Sequence, residues 1–199
     1  MRKNKFTTLD LVRHGELEST GLFCANPDEP LSEKGFQDLI SITKNKQWDV
    51  LVSSPFERCR GFVKVLNKSQ DGCVVTFDNA FQEMDFGRWV GIPTKQIWQD
   101  EPEAFSQLWQ SPENFIAPRG ESMQAFSLRV KKGLKALISR HENQSILLVT
   151  HAGVIRSILS IALDISPVSA LKINVGYAQM LRLHCYPDDA FSLQSLGCL

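Results

Sequence analysis

No charge of one sign dominates this chain. Its 22 lysines and arginines balance 22 aspartates and glutamates, so no global field draws it to nucleic acid or to a membrane surface. Cysteine is sparse and unpatterned: Cys24, Cys59, Cys73, Cys185 and Cys198 are odd in number and scattered, without a C-x-x-C pair. That argues against a disulfide framework or a zinc ribbon and favours a reducing compartment. No apolar run approaches the ~20 residues a bilayer crossing needs. The opening stretch is basic, but Asp10 and Arg13 interrupt its apolar run, which is too short for a secretory core. A cytoplasmic location is expected. Repeats, low-complexity tracts and a domain-splitting linker are also missing. The 199 residues therefore read as one domain, 1–199, large enough for a real core and carrying one sizeable insertion.

What is present is an alternation of strand-like and helix-like segments. Phe6 to Val12, Val50 to Val52, Val74 to Phe77 and Ser145 to Val149 read as strands. Between them, Ser32 and Ser122 are plausible N-caps of helices with apolar residues at helical spacing, and Ser54 with Pro55 reads as the start of another. Ala178 to Cys185 and Phe191 to Leu196 suggest two strands around a Pro187-Asp188-Asp189 turn. The pattern predicts an α/β fold, a three-layer sandwich whose mostly parallel central sheet has helices on both faces. The stretch at about 90–119, richer in proline, acid and tryptophan, reads as a small helical cap insertion.

Ligands of such sheets bind beyond the carboxyl ends of the strands, where four features fall. Arg13-His14-Gly15 ends the first strand; an imidazole held neutral and oriented is an adequate nucleophile for phosphorus. Arg58, opening the helix after the second strand, can hold two phosphate oxygens in a fork. Glu83 lies among Phe81, Met84, Phe86 and Trp89, an apolar setting in which a carboxyl can stay protonated and serve as an acid. Asp85 competes for that role, and spacing alone does not choose. His151 ends the fourth strand, where the amides of Ala152 and Gly153 and the positive helix end favour an anion. Each has an ordinary reading when taken singly, as a surface histidine, a structural arginine, a solvated acid or a core histidine. Their order, at comparable strand ends, points to chemistry on a phosphate.

The motifs Arg13-His14-Gly15, Ser54-Pro55-x-x-Arg58, Glu83 before Phe86-Gly87-x-Trp89, and Thr150-His151-Ala152-Gly153 resemble those of the histidine phosphatase superfamily over nearly the whole chain. The resemblance implies a phosphomonoesterase without cofactor or metal, in which His14 becomes a phosphohistidine. Arg13, Arg58 and His151 would hold the phosphoryl oxygens with the Ala152 amide. Glu83, favoured over Asp85 by the family pattern, would protonate the leaving alcohol and then activate water. The chain departs from the pattern at Leu17, Thr20, Val90 and Phe62-Val63; the phosphate contact of an asparagine common in the family is expected to be absent or replaced by the Thr20 hydroxyl.

Specificity is expected in the cap, which carries Trp98, Phe105, Trp109 and Phe115 but, before Arg119, only Lys95 as a clear cation. A mutase of phosphoglycerate type needs a second cationic clamp, so hydrolysis is favoured over transfer. Phe105 and Trp109, at i and i+4, also fit a plain buried helix face. Trp109 to Val130 resembles more narrowly the α-ribazole 5′-phosphate phosphatases of bacterial cobalamin assembly, whose benzimidazole riboside would suit an aromatic lid. The expected partner is thus a small-molecule phosphate monoester, with no nucleic acid and no membrane; a homodimer is left open. A rival of another class is a catalytically inactive protein that only binds phosphorylated ligands.

Overall fold

The structure, a computed structural model, describes residues 6–196; Cys198 and the basic start before Phe6 lie outside the described residues. Strand β1 (Thr7–Arg13) shows why the sheet is covered on both sides. Leu9 and Leu11 point to one face, Asp10 and Val12 to the other, and all four are fully buried. The other strands are β2 (Val50–Ser53), β3 (Val74–Phe77), β4 (Ser145–Thr150), β5 (Met180–Cys185) and β6 (Phe191–Leu196). The sheet order is β3-β2-β4-β1-β5-β6. The first four of these strands run parallel, and β5 and β6 close one edge antiparallel.

The described residues form seven α-helices: α1 (Glu33–Thr43), α2 (Glu57–Leu66), α3 (Thr94–Asp100), α4 (Pro102–Gln110), α5 (Met123–Arg140), α6 (Ala152–Ala162) and α7 (Pro167–Leu171). Ser32 and Ser122 cap α1 and α5 as their positions suggest, their hydroxyls accepting from the Gly35 and Ala125 amides. Short α7, not legible beforehand, is capped by Ser166 with Pro167 in its first turn. Two cores result. On one face Leu9, Leu11, Ile146 and Leu148 meet Phe126, Val130, Ile155 and Ile158 of α5 and α6. On the other, Val12, Leu51, Leu147 and Val149 meet Leu39, Phe62 and Val63 of α1 and α2. Each such side chain withdrawn from water contributes about 1.5–3 kcal/mol. The charge inside β1 is matched: Arg182, its cross-strand partner, grips Asp10 through two nitrogens at 2.7 and 2.8 Å, and the Trp48 indole donates at 2.8 Å. The three-layer α/β sandwich is the expected one.

The 90–119 excursion forms α3, α4 and a short 3-10 turn at Pro112–Asn114. Its aromatics mostly pack on one another: Phe105 meets Trp89, Trp98 and Phe23 edge-on, and Trp89 stacks on Phe115. Among the described residues, no helix is long and apolar enough to cross a membrane.

Candidate active site

Parallel pairing of β1 and β4 puts the two histidines together. Arg13 stands opposite Thr150, so the next residues, His14 and His151, leave the sheet side by side. The His14 amide donates to the Thr150 carbonyl at 2.9 Å, and the two rings lie 5.2 Å apart, edge to face. Gly15 makes the turn possible: a side chain there would collide with the backbone of Gly35 at the start of α1.

His14 is 6% exposed, and its Nδ1 lies 2.8 Å from the Gly15 carbonyl oxygen. A carbonyl only accepts, so Nδ1 carries the proton and Nε2 keeps the lone pair. Burial first, then the positive charges of Arg58 and Arg13, push the ring's pKa down to about 3, against the Gly15 bond, which raises it. The ring is therefore a neutral base at ordinary pH. Burial likewise pulls His151 well below the usual histidine range, helped by the neighbouring His14, Arg58 and Arg13.

Both rings should make folding sensitive to acid. Below about 6.5 the unfolded chain takes up protons that the buried rings refuse, so stability falls with pH through the window from 6.5 down to about 3. For His14 the slope is about 1 kcal/mol per pH unit. Urea unfolding in phosphate-free buffer from pH 7 to 4 should show a shallower loss for His14→Ala; an unchanged slope would contradict the assignment.

His151 Nε2 is 2.7 Å from the Ser54 hydroxyl and 3.8 Å from the Cys59 sulfur. This corrects the reading of Ser54 as a cap. Helix α2 begins at Glu57 with Phe56 in the cap position and no side-chain cap bond. In the tautomer where the Ser54 hydroxyl donates to Nε2, the His151 proton is on Nδ1, which is buried and has no partner. Arg58 is 2% exposed; one terminal nitrogen donates to the Asn26 carbonyl at 2.8 Å, and its Nε is also buried and unpaired. Arg13 repeats the arrangement, bonded to the Val175 carbonyl at 2.6 Å, lying 3.9 Å over the Tyr177 ring, its Nε unpaired. Buried polar atoms rarely stay unsatisfied. Of four such side-chain atoms among the described residues, three belong to Arg13, Arg58 and His151. All three can donate, which suits an anion.

Glu83 completes the group. One carboxylate oxygen accepts from the Met84 amide at 3.0 Å, the other from the Gly153 amide at 3.1 Å in the first turn of α6. A side chain at Gly153 would collide with that carboxylate. The helix end thus faces an acid of the protein itself at Gly153, while Ala152 lines the cleft. Asp85 is exposed and accepts from the Gly87 amide at 2.8 Å, a turn bond rather than a place in the site.

Arg13, His14, Arg58, Glu83 and Ala152 line a small cavity of about 80 Å³; His151, buried behind His14, is not part of its lining. It shares Arg13, Glu83 and Ala152 with a groove of about 410 Å³. Thr20 is exposed and outside both linings; Ser19, hydrogen-bonded to Glu29, lines the small cavity instead. From the cap only Leu108, Trp109 and Pro112 reach the groove. Phe105 is core, as its spacing allowed, and Lys95 lines neither space. Among the described residues no three His, Cys, Asp or Glu side chains cluster as a metal site would require. Sequence reading missed Ser54 as the histidine's partner, Tyr177, and Arg156, a groove cation on α6. Arg156 had a signal, standing four residues after Ala152 on the same helix face.

Three comparisons relate the chain to known proteins. The family model of the histidine phosphatase superfamily (branch 1) matches residues 9–198. An adenosylcobalamin/alpha-ribazole phosphatase of Salmonella typhimurium is 28% identical over 166 residues, covering 81% of each chain. Phosphoserine phosphatase 1 of Hydrogenobacter thermophilus is 30% identical over 148 residues, covering 72% of this chain and 70% of its own. The solved structure of Bacillus stearothermophilus YhfR superposes with a TM-score of 0.88 at 23% identity, over 97% of this chain and 98% of that one, which supports the fold. The chain belongs to the histidine phosphatase superfamily.

Proposed function

We propose that this protein is a phosphomonoesterase that transfers the phosphoryl group of its substrate to His14 and then to water. The observation that carries the reading is the gathering of Arg13, Arg58 and His151, each with an unpaired buried nitrogen, at a neutral histidine whose Nε2 makes no bond. His14 Nε2 forms a bond to phosphorus as the bond to the ester oxygen breaks. That oxygen leaves with the electron pair and takes a proton from Glu83. The guanidinium groups and the His151 Nδ1 proton stabilise the charge on the three outer oxygens through fixed cations, the work that metal ions do in kinases. Glu83, now a carboxylate, removes a proton from water, which attacks phosphorus and expels His14. Inorganic phosphate leaves, and Glu83 is protonated again. No metal or organic cofactor enters this scheme.

Two substrate readings have support. Relatives named for alpha-ribazole and the groove's aromatic wall, Phe86 and Trp109, favour α-ribazole 5′-phosphate and a place in cobalamin assembly. Arg156 favours another small phosphorylated metabolite, because a neutral riboside gives that cation no counter-charge. Assaying α-ribazole 5′-phosphate beside sugar phosphates, phosphoserine and phosphoglycerates tests both, with phosphate release expected from at least one. Binding without release from any would favour the inactive binding protein. Transfer of label from a bisphosphate to product rather than to water would favour a mutase.

A further inference from the structure

The large groove holds a cation without an assigned task. Arg156, half-buried on α6, lines it beside Arg13 and Glu83. Its Nε donates to the Ile173 carbonyl at 3.0 Å, which fixes the guanidinium plane; no bond is made by its terminal nitrogens among the described residues. Glu83 makes no ion pair with it; its two oxygens accept from the Met84 and Gly153 amides. Glu83 is also the one acid among the residues lining the groove. Burial lowers the Arg156 pKa, and Arg156 in turn disfavours the charge on Arg13. Two guanidinium groups lining one groove cost free energy unless an anion answers each. The phosphoryl group answers Arg13; Arg156 lacks its equivalent.

The rest of the groove says what surrounds such an anion. One wall is apolar and partly aromatic, with Phe86, Leu108, Trp109 and Met123. The other, on and after α6, offers Ser157, Ser160 and Asn174 beside Arg156. We propose that Arg156 is the centre of an anion subsite that selects phosphomonoesters whose alcohol portion carries a second negative group, a carboxylate, on an apolar body. The proposal rests on the phosphomonoesterase reading and ranks substrates within it. An acidic ester is placed above the neutral α-ribazole 5′-phosphate, because only the first brings a fork acceptor to the guanidinium.

Matched pairs test it. 3-Phosphoglycerate and glycerol 3-phosphate differ by a carboxylate in place of a hydroxymethyl group. 4-(Phosphonooxymethyl)benzoate and its carboxamide differ by charge at nearly constant shape and add the apolar body. The wild-type protein should prefer the acidic member of the second pair by about 10-fold or more in kcat/KM. Arg156→Gln should lower kcat/KM for the acidic member about 10-fold more than for the amide, and Arg156→Lys should keep part of the preference. Equal kcat/KM for both members in the wild type would overturn the subsite without any variant having to fold. Equal losses on both members in Arg156→Gln would overturn the role of Arg156. Hydrolysis of none of the four esters, nor of any other monoester, would instead defeat the phosphatase reading beneath it.

Discussion

Replacing His14 by alanine should lower kcat by about 10⁴-fold or more on every phosphate monoester the protein hydrolyses. The size of the loss follows from the geometry. Water is the only nucleophile left, and in this scheme Glu83 must give its proton to the leaving oxygen before it can act as a base toward water. Affinity for phosphate should change little, because Arg13, Arg58 and His151 are anchored independently of the His14 ring, on Val175, Asn26 and Ser54. Initial rates with an alkyl phosphate and phosphate binding by calorimetry check the two halves. Retention of full activity would remove His14 from the chemistry.

Glu83→Gln carries the second large effect. The amide oxygen can still accept from the Gly153 or Met84 amide, so the loop should stay in place while the transferable proton is lost. Alkyl phosphates, whose oxygen leaves poorly without a proton, should slow by about 10²–10⁴-fold in forming the phosphoenzyme. An aryl phosphate with a good leaving group should phosphorylate His14 at nearly the wild-type rate. It should then stall, because no base activates water. Rapid mixing would show a burst of aryl alcohol followed by slow turnover. Equal slowing of the first step for both esters would show that Glu83 is not the acid.

The strands and their order of chemistry were legible because β1 and β4 are short apolar runs that each end in a histidine. Parallel neighbours in an α/β sheet present such ends together. From its own setting Glu83 was legible only as one of two acids, and only the resemblance to the superfamily chose it over Asp85. In the structure the Gly153 amide, seventy positions later in the chain, holds its carboxylate. Ser54 was misread for a related reason. A serine before proline at a helix start satisfies the rules for a cap, yet its hydroxyl turns to His151, a contact that exists only because β2 and β4 are paired. Arg156 is not legible from the cap, where a second cation is expected, because the groove is walled as much by α6. Thr20 shows the reverse error: a position inherited from a motif falls outside the cleft once the loop after Gly15 is folded.

The most direct measurement is to stop the reaction of Glu83→Gln with a labelled aryl phosphate in alkali, which preserves a phosphorus–nitrogen bond to histidine, and to map the label. Phosphorus on the Nε2 atom of His14, lost on mild acidification, is the expected outcome. Label on Nδ1, on another residue, or on none while aryl alcohol is released in a burst would contradict the account.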